Sequence, residues 1–364
     1  MPLKVFVVGA GLGGLGAAIA LNRAGHDVEV FEQSSFLNEV GAAIHVPPNA
    51  SRVLKSWGCN LDDLQPVFCN YLNVNGKTPK IHLSSPVLSV SRAVKSVTRE
   101  ELRRTSTGQS CFRFLVPVDK VRANPLTGPL FEKIGLKGQS VFTSHDRRLV
   151  IYPCRLGNLL NVVAIHPREH IDDPGRESAY QAHGTMEDLL KTYSEFGPEM
   201  VELCKLGEDI KLWSLASRNP AQRFWKGRLA LVGDAAHPTL PHQGQGGAQA
   251  IEDGAALGVL FPSDTIPEQV SQRLALYNKV RYARAVTVVF MSRTNDEKRS
   301  TMMDELRKYI PDAQLPNNMF EYTWDSYPLR DAKRELDSSV KKGDEKISII
   351  ADARPLKARE TQVV

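Results

Sequence analysis

The chain has 364 residues, of which 42% are hydrophobic and 24% charged, so it is long enough to bury a large core in one composite unit or two domains. The formal net charge is +5, but the charges are interspersed and form no concentrated basic stripe of the kind that binds nucleic acid. No apolar run approaches the roughly 18 residues of a membrane span. The five cysteines are an odd number without C-x-x-C pairs, which predicts reduced thiols and no metal site. We expect a cytoplasmic location, because the apolar N-terminal run leads into a glycine loop and not into a secretory signal.

The first elements are a strand, a glycine-rich turn and a helix. Residues 4–8 form a short apolar run with the β-branched side chains of a buried parallel strand. Residues 15–24 predict a helix that ends at Gly25. Between the two, residues 9–14 read GAGLGG, which places a glycine turn between strand and helix.

Three glycines of this turn predict a dinucleotide site. Gly9 permits the tight turn, Gly11 lets backbone amides approach a pyrophosphate, and Gly14 lets the helix pack closely on the strand. A second strand at residues 28–31 stops at Glu32, which lies 18 residues beyond Gly14. The acid that binds the adenosine ribose is expected at a separation of about 20. An acid here favours FAD or NAD over a cofactor with a 2′-phosphate.

A short helix and a series of strands follow. Residues 50–57 predict a helix with Asn49 as N-cap and Gly58 after its end. From about residue 81 to 215 the chain consists of short strand-like runs separated by turn residues, as in a mostly antiparallel sheet. We expect this sheet to form the substrate domain, and its runs are residues 81–83, 111–115, 139–142, 149–152 and 161–165.

A second loop suited to the same cofactor begins at Gly233. The apolar run at residues 229–232 precedes the sequence GDAAHP at residues 233–238. Its Asp234 carboxylate follows a predicted strand end, where ligands of open α/β sheets bind, and is placed to bind a polyol hydroxyl. The alternative is that Asp234 caps a turn.

A helix predicted over residues 248–260 follows a further glycine loop. The amides of Gly246 and Gly247 at its start are expected to face the pyrimidine ring of a flavin, since a helix N-terminus stabilises negative charge there. On the same helix, Glu252 and Asp253 are expected to form structural hydrogen bonds rather than an acid–base pair. The two separated loops together indicate a flavin, where the first alone indicates only a nucleotide; the alternative is a capped helix after a glycine loop.

The elements predict an α/β fold. It combines a Rossmann-like FAD-binding domain, built from two separated segments, with a mostly antiparallel β-sheet domain and C-terminal helices. Residues 270–310 read as mainly helical, and the charged sequence from 331 onward predicts a helix with a frayed or disordered tail. The predicted units are residues 1–80 and 216–290 for FAD binding, 81–215 for substrate binding, and 291–364 for the C-terminal helical region and charged tail.

These motifs resemble the FAD-dependent aromatic hydroxylase family, the group A flavoprotein monooxygenases, and in particular its salicylate hydroxylase-like branch. The resemblance implies FAD as cofactor, NADPH or NADH as co-substrate, O2, and a small phenolic or aromatic-acid substrate that is hydroxylated through a C4a-hydroperoxyflavin. Residues 41–50 resemble the segment beside the flavin ring, which implies that Ala43 contacts the cofactor. Pro241 is expected to shape the oxygen pocket near the flavin C4a.

Candidate catalytic residues come from three places. His45, on the segment beside the flavin, is the candidate base that deprotonates a phenol, with a packing role as the alternative. Arg113 is a candidate clamp for a substrate carboxylate, and Tyr152 a candidate to bind or orient a phenol, with a surface ion pair or core packing as the alternatives. Of the two histidines that flank the flavin loop, His237 is expected to order the Asp234 turn, and no role is predicted for His242.

The sequence departs from the family before residues 107–113. Family members carry in that region a helix with an arginine that contacts the flavin, and an Asp-Gly motif that serves both the FAD pyrophosphate and the nicotinamide nucleotide; neither is present here. We infer two internal losses, near residues 72–76 and near residue 90. The open alternatives are an inactive or non-catalytic paralogue, and another FAD oxidoreductase, such as an epoxidase or oxidase, on the same scaffold. No oligomeric state is predicted.

Overall fold

Two large hydrophobic cores and a smaller cluster organise the described part of the chain. The computed structural model describes residues 1–35, 46–59, 78–87, 105–168, 181–293 and 299–341. One core takes side chains from both ends of the chain, including Ile19, Val30 and Ile251, and the other lies within residues 112–212. The predicted combination of a Rossmann-like part, an antiparallel sheet and C-terminal helices is confirmed.

A parallel sheet forms the first part. Its strands are β1 (Lys4–Val8), β2 (Asp27–Phe31) and β3 (Lys80–His82), in that spatial order. Helix α1 (Leu12–Arg23) connects β1 to β2, and α2 (Pro48–Ser56) lies between β2 and β3 along the chain. The predicted strand, glycine turn, helix and second strand are therefore present.

Two local predictions in this part are wrong. Ile81 and His82, expected in the antiparallel sheet, pair in parallel with β2. So short a strand carries no alternation that distinguishes one sheet from another, and its partner is set by tertiary contacts. Asn49 does not cap α2, because Pro48 fits the first helical position and moves the N-cap to Pro47.

Six strands form the antiparallel sheet, in the order β5-β6-β7-β4-β9-β8. All but β8 and β9 contain or overlap strand-like runs predicted from the sequence. Their bounds are β4 (Thr105–Pro117), β5 (Ser140–Ser144), β6 (Arg147–Cys154), β7 (Leu159–Pro167), β8 (Gln181–His183) and β9 (Glu208–Ser217).

The two faces of this sheet have different neighbours. One face buries side chains such as Phe112 and Val162 against four short helices. The opposite face carries Cys111 and Trp213, which cluster with Leu240 from the C-terminal half of the chain. The polar substrate candidates share this second face. The four helices are α3 (Val118–Ala123), α4 (Thr127–Ile134), α5 (Met186–Thr192) and α6 (Pro198–Lys205).

The C-terminal half is mainly helical, as predicted for residues 270–310 and for the start of the charged segment. It begins with a small hairpin, so the predicted four-residue strand at 229–232 is only two residues long and pairs antiparallel. Two short 3-10 turns, Gly233–Ala235 and Pro241–Gln243, follow the hairpin. The elements are β10 (Trp225–Lys226), β11 (Leu229–Ala230), α7 (Gly246–Leu260), α8 (Val270–Met291), α9 (Arg299–Arg307), α10 (Met319–Trp324) and α11 (Pro328–Lys341).

Helices α1 and α7 pack so closely that their backbones touch. A Cβ added at Gly254 would lie 2.6 Å from the Gly16 backbone, and one added at Gly258 would lie 2.8 Å from the Ala20 side chain. Glycine is therefore required on α7 at both positions. The contact brings the helix that follows the first glycine loop against the helix that follows the second.

One face of β1 is uncovered. Val5 and Val7 pack on the core, whereas Phe6 and Val8 on the opposite face are 58% and 57% exposed. Among the described strands β1 pairs only with β2. Parallel sheets of α/β proteins are ordinarily covered on both faces, and the described residues supply no covering layer for this face.

Candidate cofactor and substrate site

The two glycine loops meet in space. A Cβ added at Gly13 would lie 3.3 Å from the backbone nitrogen of Gly233. Gly233 has a φ of +56°, a conformation that favours glycine. At Gly14 an added Cβ would lie 1.9 Å from the carbonyl oxygen of Gly9, so only glycine fits where α1 crosses the end of β1. The fold therefore brings together two motifs that lie far apart in the sequence.

The first loop has the features of a pyrophosphate cradle. Space above Gly9 and Gly11 is open, since a Cβ added at either would meet no atom within 4 Å. Gly11 is the N-cap of α1 and no side chain caps the helix, so its first amides are available to an anion. Glu32 stands beside the loop, with Oε2 accepting from the Ala10 amide at 2.6 Å. These residues fit the ADP part of FAD.

The second loop presents its carboxylate outward. Asp234 is exposed on the Gly233–Ala235 turn, and the Arg218 guanidinium donates to its backbone carbonyl. Pro241 is exposed at the start of the next turn. Gly246 and Gly247 lie in the first turn of α7, and a Cβ added at Gly246 would lie 2.9 Å from the Thr239 hydroxyl. Ala43 and His45 lie outside the described residues.

A buried ionic cluster lies behind the second loop. Glu252 and Asp253 on α7 are fully buried, and Arg281 on α8 lies between them, with its Nε donating to Asp253 Oδ1 at 2.8 Å and its Nη1 to Glu252 Oε2 at 2.5 Å. Burial alone raises the pKa of Asp253, but His237 and Arg281 hold it at about 2. Both carboxylates are thus ionised and hydrogen-bonded, the structural role predicted for them.

The cluster reaches the cofactor loop and the start of α2. Asp253 Oδ2 accepts from the Gly233 amide at 2.8 Å and contacts His237 Nε2 at 2.6 Å. Glu252 Oε1 accepts from the Asn49 amide nitrogen at 2.7 Å. Neither Arg281 nor this contact of Asn49 was predicted from the sequence. The available signal was an arginine in a helix whose other inward positions are mostly apolar, since arginine is almost never fully buried without partners.

Arg113 and Tyr152 lie together on the sheet face that meets Leu240. In register, Arg113 is opposite Val163, and Tyr152 is opposite the next inward residue of β7, Asn161. The Arg113 guanidinium hydrogen-bonds the Tyr152 side chain; burial raises the pKa of that phenol, and Arg113 opposes the rise. The structure thus brings the two predicted substrate residues into one polar group.

Two further polar groups are associated with this face. Asn161 is fully buried, and within the described part of the chain its carboxamide has no hydrogen-bond partner. His242, on the Pro241–Gln243 turn, has a buried ring nitrogen, Nδ1, that likewise finds no partner among these residues. Burial, with a contribution from Arg148 on β6, lowers the pKa of His242 to about 4, so the ring is neutral near pH 7. Arg148 and Tyr152 lie on the same side of β6. Because Arg148 is near His242, this face of the sheet lies towards the Pro241–Gln243 turn.

Family models match the chain around both loops. The NAD(P)-binding Rossmann-like domain matches residues 7–49, and the FAD binding domain matches residues 185–292. The FAD-dependent monooxygenase cfoG of Aspergillus candidus is 28% identical over 404 residues, covering 89% of this chain and 92% of the relative. Hispidin-3-hydroxylase of Neonothopanus nambi is 28% identical, covering 78% of this chain and 86% of the relative. These matches support the FAD-dependent aromatic hydroxylase family for this chain.

The chain also shares the fold of a solved hydroxylase structure. The structure of a salicylate hydroxylase substrate complex superposes with a TM-score of 0.67 at 18% identity, covering 92% of this chain and 98% of that chain. Among the described residues, no helix is long and apolar enough to cross a membrane, and no three His, Cys, Asp or Glu side chains are grouped to hold a metal ion.

Within the aligned region this chain is shorter than its relative cfoG. The alignment with cfoG spans 404 residues, whereas 89% of 364 residues is about 324, so about 80 aligned positions are filled in the relative alone. A difference of that size agrees with the internal losses inferred from the sequence. The two inferred places, residues 72–76 and residue 90, lie outside the described residues.

Proposed function

We propose that this protein hydroxylates a small phenol or aromatic acid, with FAD as cofactor, NADPH or NADH as reductant and O2 as oxidant. One oxygen atom would enter the ring and the other would leave as water, with two electrons supplied by the pyridine nucleotide. The observation that carries the proposal is the contact of the two cofactor loops at Gly13 and Gly233, with a polar sheet face beside the second loop. Its relatives' names, hispidin-3-hydroxylase and salicylate hydroxylase, support an aromatic substrate.

Each part of FAD has residues that suit it. The amides at the start of α1, after Gly11, receive the pyrophosphate, Gly9 and Gly14 shape the turn that presents them, and Glu32 accepts from the adenosine ribose. Asp234 binds the ribityl hydroxyls, and the first turn of α7 stabilises negative charge on the flavin pyrimidine. Bound FAD would supply the redox chemistry, and the protein would orient the ring and exclude water. The remaining cofactor candidates are Gly246, Gly247, Pro241 and Ala43.

The polar sheet face is the proposed substrate site. Arg113 binds the substrate carboxylate, and the Tyr152 hydroxyl, held by Arg113, orients the phenol. The carboxamide of Asn161 offers a donor and an acceptor to a ring substituent, which would satisfy its unpaired atoms. His45 remains the proposed base. Neutral His242 is a second candidate, because its Nδ1 faces no hydrogen-bond partner among the described residues.

Labelled oxygen tests the reaction. The FAD-loaded protein would be incubated with NADPH or NADH, isotopically labelled O2 and a panel of phenols that includes salicylate, and the products analysed by mass spectrometry. A monooxygenase places one labelled atom in the product, whereas an oxidase releases both as peroxide. A protein that reduces its flavin but never labels any aromatic product would contradict hydroxylation.

A second candidate is a non-catalytic member of the family. It is favoured by the roughly 80 positions that the relative has and this chain lacks, together with the uncovered face of β1. Anaerobic mixing with NADPH and NADH separates the two candidates. Reduction of bound flavin supports the enzyme, and a flavin that stays oxidised with both nucleotides supports the non-catalytic protein.

A further inference from the structure

We propose that Arg281 is a positioning residue for FAD, holding the second cofactor loop and the start of α2 in place through two carboxylates. The inference rests on the FAD binding of the proposed function. Arg281 is 1% exposed and lies on α8, away from both glycine motifs in the sequence, so it contributes no surface to the cofactor. Its effect on the site passes through Asp253 and Glu252.

The arginine is held from several directions at once. Besides its bonds to Asp253 and Glu252, its Nη2 donates to the side-chain oxygen of Gln249 at 2.8 Å and to the backbone carbonyl of Gln249 at 3.1 Å. The planar fork of the guanidinium matches this set of acceptors, and an ammonium group does not. Neither carboxylate position can shift without losing one of these bonds.

Asp253 transmits this fixed position to the second loop. Its Oδ2 accepts from the Gly233 amide. The same oxygen contacts Nε2 of His237, which lies four residues after Gly233 on the second loop. Gly233 is the residue that meets Gly13 of the first loop. The buried cluster around Arg281 therefore sets the spacing between the first and second loops, and it does so from behind the second loop.

Glu252 transmits the same position to a third segment. It accepts from Asn49, which is fully buried in the first turn of α2 and lies near the end of the segment expected beside the flavin ring. Arg284 closes the cluster, with its Nε donating to Glu252 Oε2 at 2.7 Å and its Nη1 to the Tyr322 carbonyl at 2.8 Å. Two arginines balance two carboxylates, so the cluster is neutral overall when His237 is neutral.

The test compares FAD affinity with fold stability. Arg281→Lys keeps the charge but loses the fork, and Leu306→Ala removes a buried side chain from the same core without touching the cluster. For each apoprotein we would measure the melting temperature, the FAD dissociation constant by flavin fluorescence, and the visible circular dichroism of bound FAD. We expect Arg281→Lys to weaken FAD binding roughly tenfold or more and to change the dichroism. Leu306→Ala should lower the melting temperature with little effect on either.

A gentler pair covers the case in which Arg281→Lys fails to fold. His237→Gln retains a nitrogen donor to Asp253, and His237→Met does not. Rescue of FAD affinity and of the dichroism in His237→Gln relative to His237→Met supports positioning. Equal FAD affinity and dichroism in the wild type and in the folded variants overturns it. A wild-type apoprotein that takes up no FAD overturns the proposed function itself, which is a different result.

Discussion

At the scale of single residues, the glycines of the first loop are of two kinds: some leave no space for a Cβ atom, and others leave space that no side chain fills. Gly14 has no room for a methyl group, because α1 crosses the Gly9 carbonyl there. Gly11 has room within the protein for a side chain, so we propose that its lack of one serves the ligand. Glycine at position 14 is therefore needed for folding, whereas glycine at position 11 is proposed to be needed for cofactor binding.

This difference predicts opposite behaviour of two alanine variants. Gly11→Ala should leave the melting temperature of the apoprotein unchanged but lower FAD affinity, because the added methyl group occupies the space for the pyrophosphate. Gly14→Ala should lower both, since the clash with Gly9 forces the helix off the strand. Thermal unfolding and FAD titration measure the two effects. Wild-type FAD affinity in Gly11→Ala would show that the phosphates bind elsewhere.

His242 predicts a pH dependence of stability. Its pKa in the folded protein is about 4 against an ordinary 6.5, so only the unfolded chain takes up this proton between those values. The free energy of unfolding is therefore highest above pH 6.5. It falls by up to about 3 kcal/mol as the pH drops towards 4, because the unfolded chain gains a proton that the folded protein does not. His242→Gln should show a shallower fall in the free energy of unfolding between about pH 7 and about pH 4.5 in urea titrations. An identical fall in both proteins would contradict this.

At the scale of elements, the contact between α1 and α7 joins the two halves of the cofactor site. Gly254 and Gly16 lie at the same interface, but their environments differ. An added Cβ at Gly254 would overlap the Gly16 backbone, whereas one at Gly16 would make ordinary contacts, the nearest at 3.8 Å. The interface therefore tolerates a methyl group on one helix and not on the other.

We accordingly expect Gly254→Ala to destabilise the apoprotein by about 1–3 kcal/mol through overpacking. Gly16→Ala should be neutral or stabilising by up to about 1 kcal/mol, because alanine favours a helix interior. Denaturant unfolding of the two variants and the wild type measures the difference. If the two variants had equal free energies of unfolding, the helices would have moved apart at little cost. That result would contradict the close packing of α1 and α7.

The elements also show how far the sequence could predict the structure. The turn around Gly9 and the helix at Gly246 were predictable, because glycine spacing and apolar periodicity are local signals. The pairing of Ile81 with β2 was not, because a three-residue strand carries no information about its partner. The partners of Asn49 and Arg281 lie about 200 and about 28 residues away, so they follow from the fold and not from a motif.

At the scale of the whole molecule, the chain keeps the cofactor loops of its family but not its full length. About 80 positions of the relative have no counterpart, and one face of β1 is left exposed. Exposed apolar side chains on a sheet face favour association, and so does a strand edge that pairs with no other described strand. We therefore expect the shortening to promote self-association through the surface of the parallel sheet, and to leave the contact of the two loops intact.

Phe6→Ser tests this location. It should reduce the binding of an apolar dye and self-association at high concentration, while changing the free energy of unfolding by no more than about 0.5 kcal/mol. FAD affinity should stay at the wild-type value, because Phe6 faces away from the core side that carries α1. Light scattering and dye fluorescence provide the measurements, with Phe320→Ser on α10, also exposed, as the matched control. Unchanged association in Phe6→Ser would show that another surface is responsible.

The central claim is that this shortened chain still assembles an FAD site from its two separated loops. Its most direct test is a titration of the purified wild-type apoprotein with FAD, followed by flavin fluorescence and the visible spectrum, beside Gly11→Ala. We predict saturable binding with a resolved protein-bound flavin spectrum in the wild type, and weakened binding in the variant. A wild-type protein that remains colourless and leaves FAD fluorescence unchanged would contradict the account.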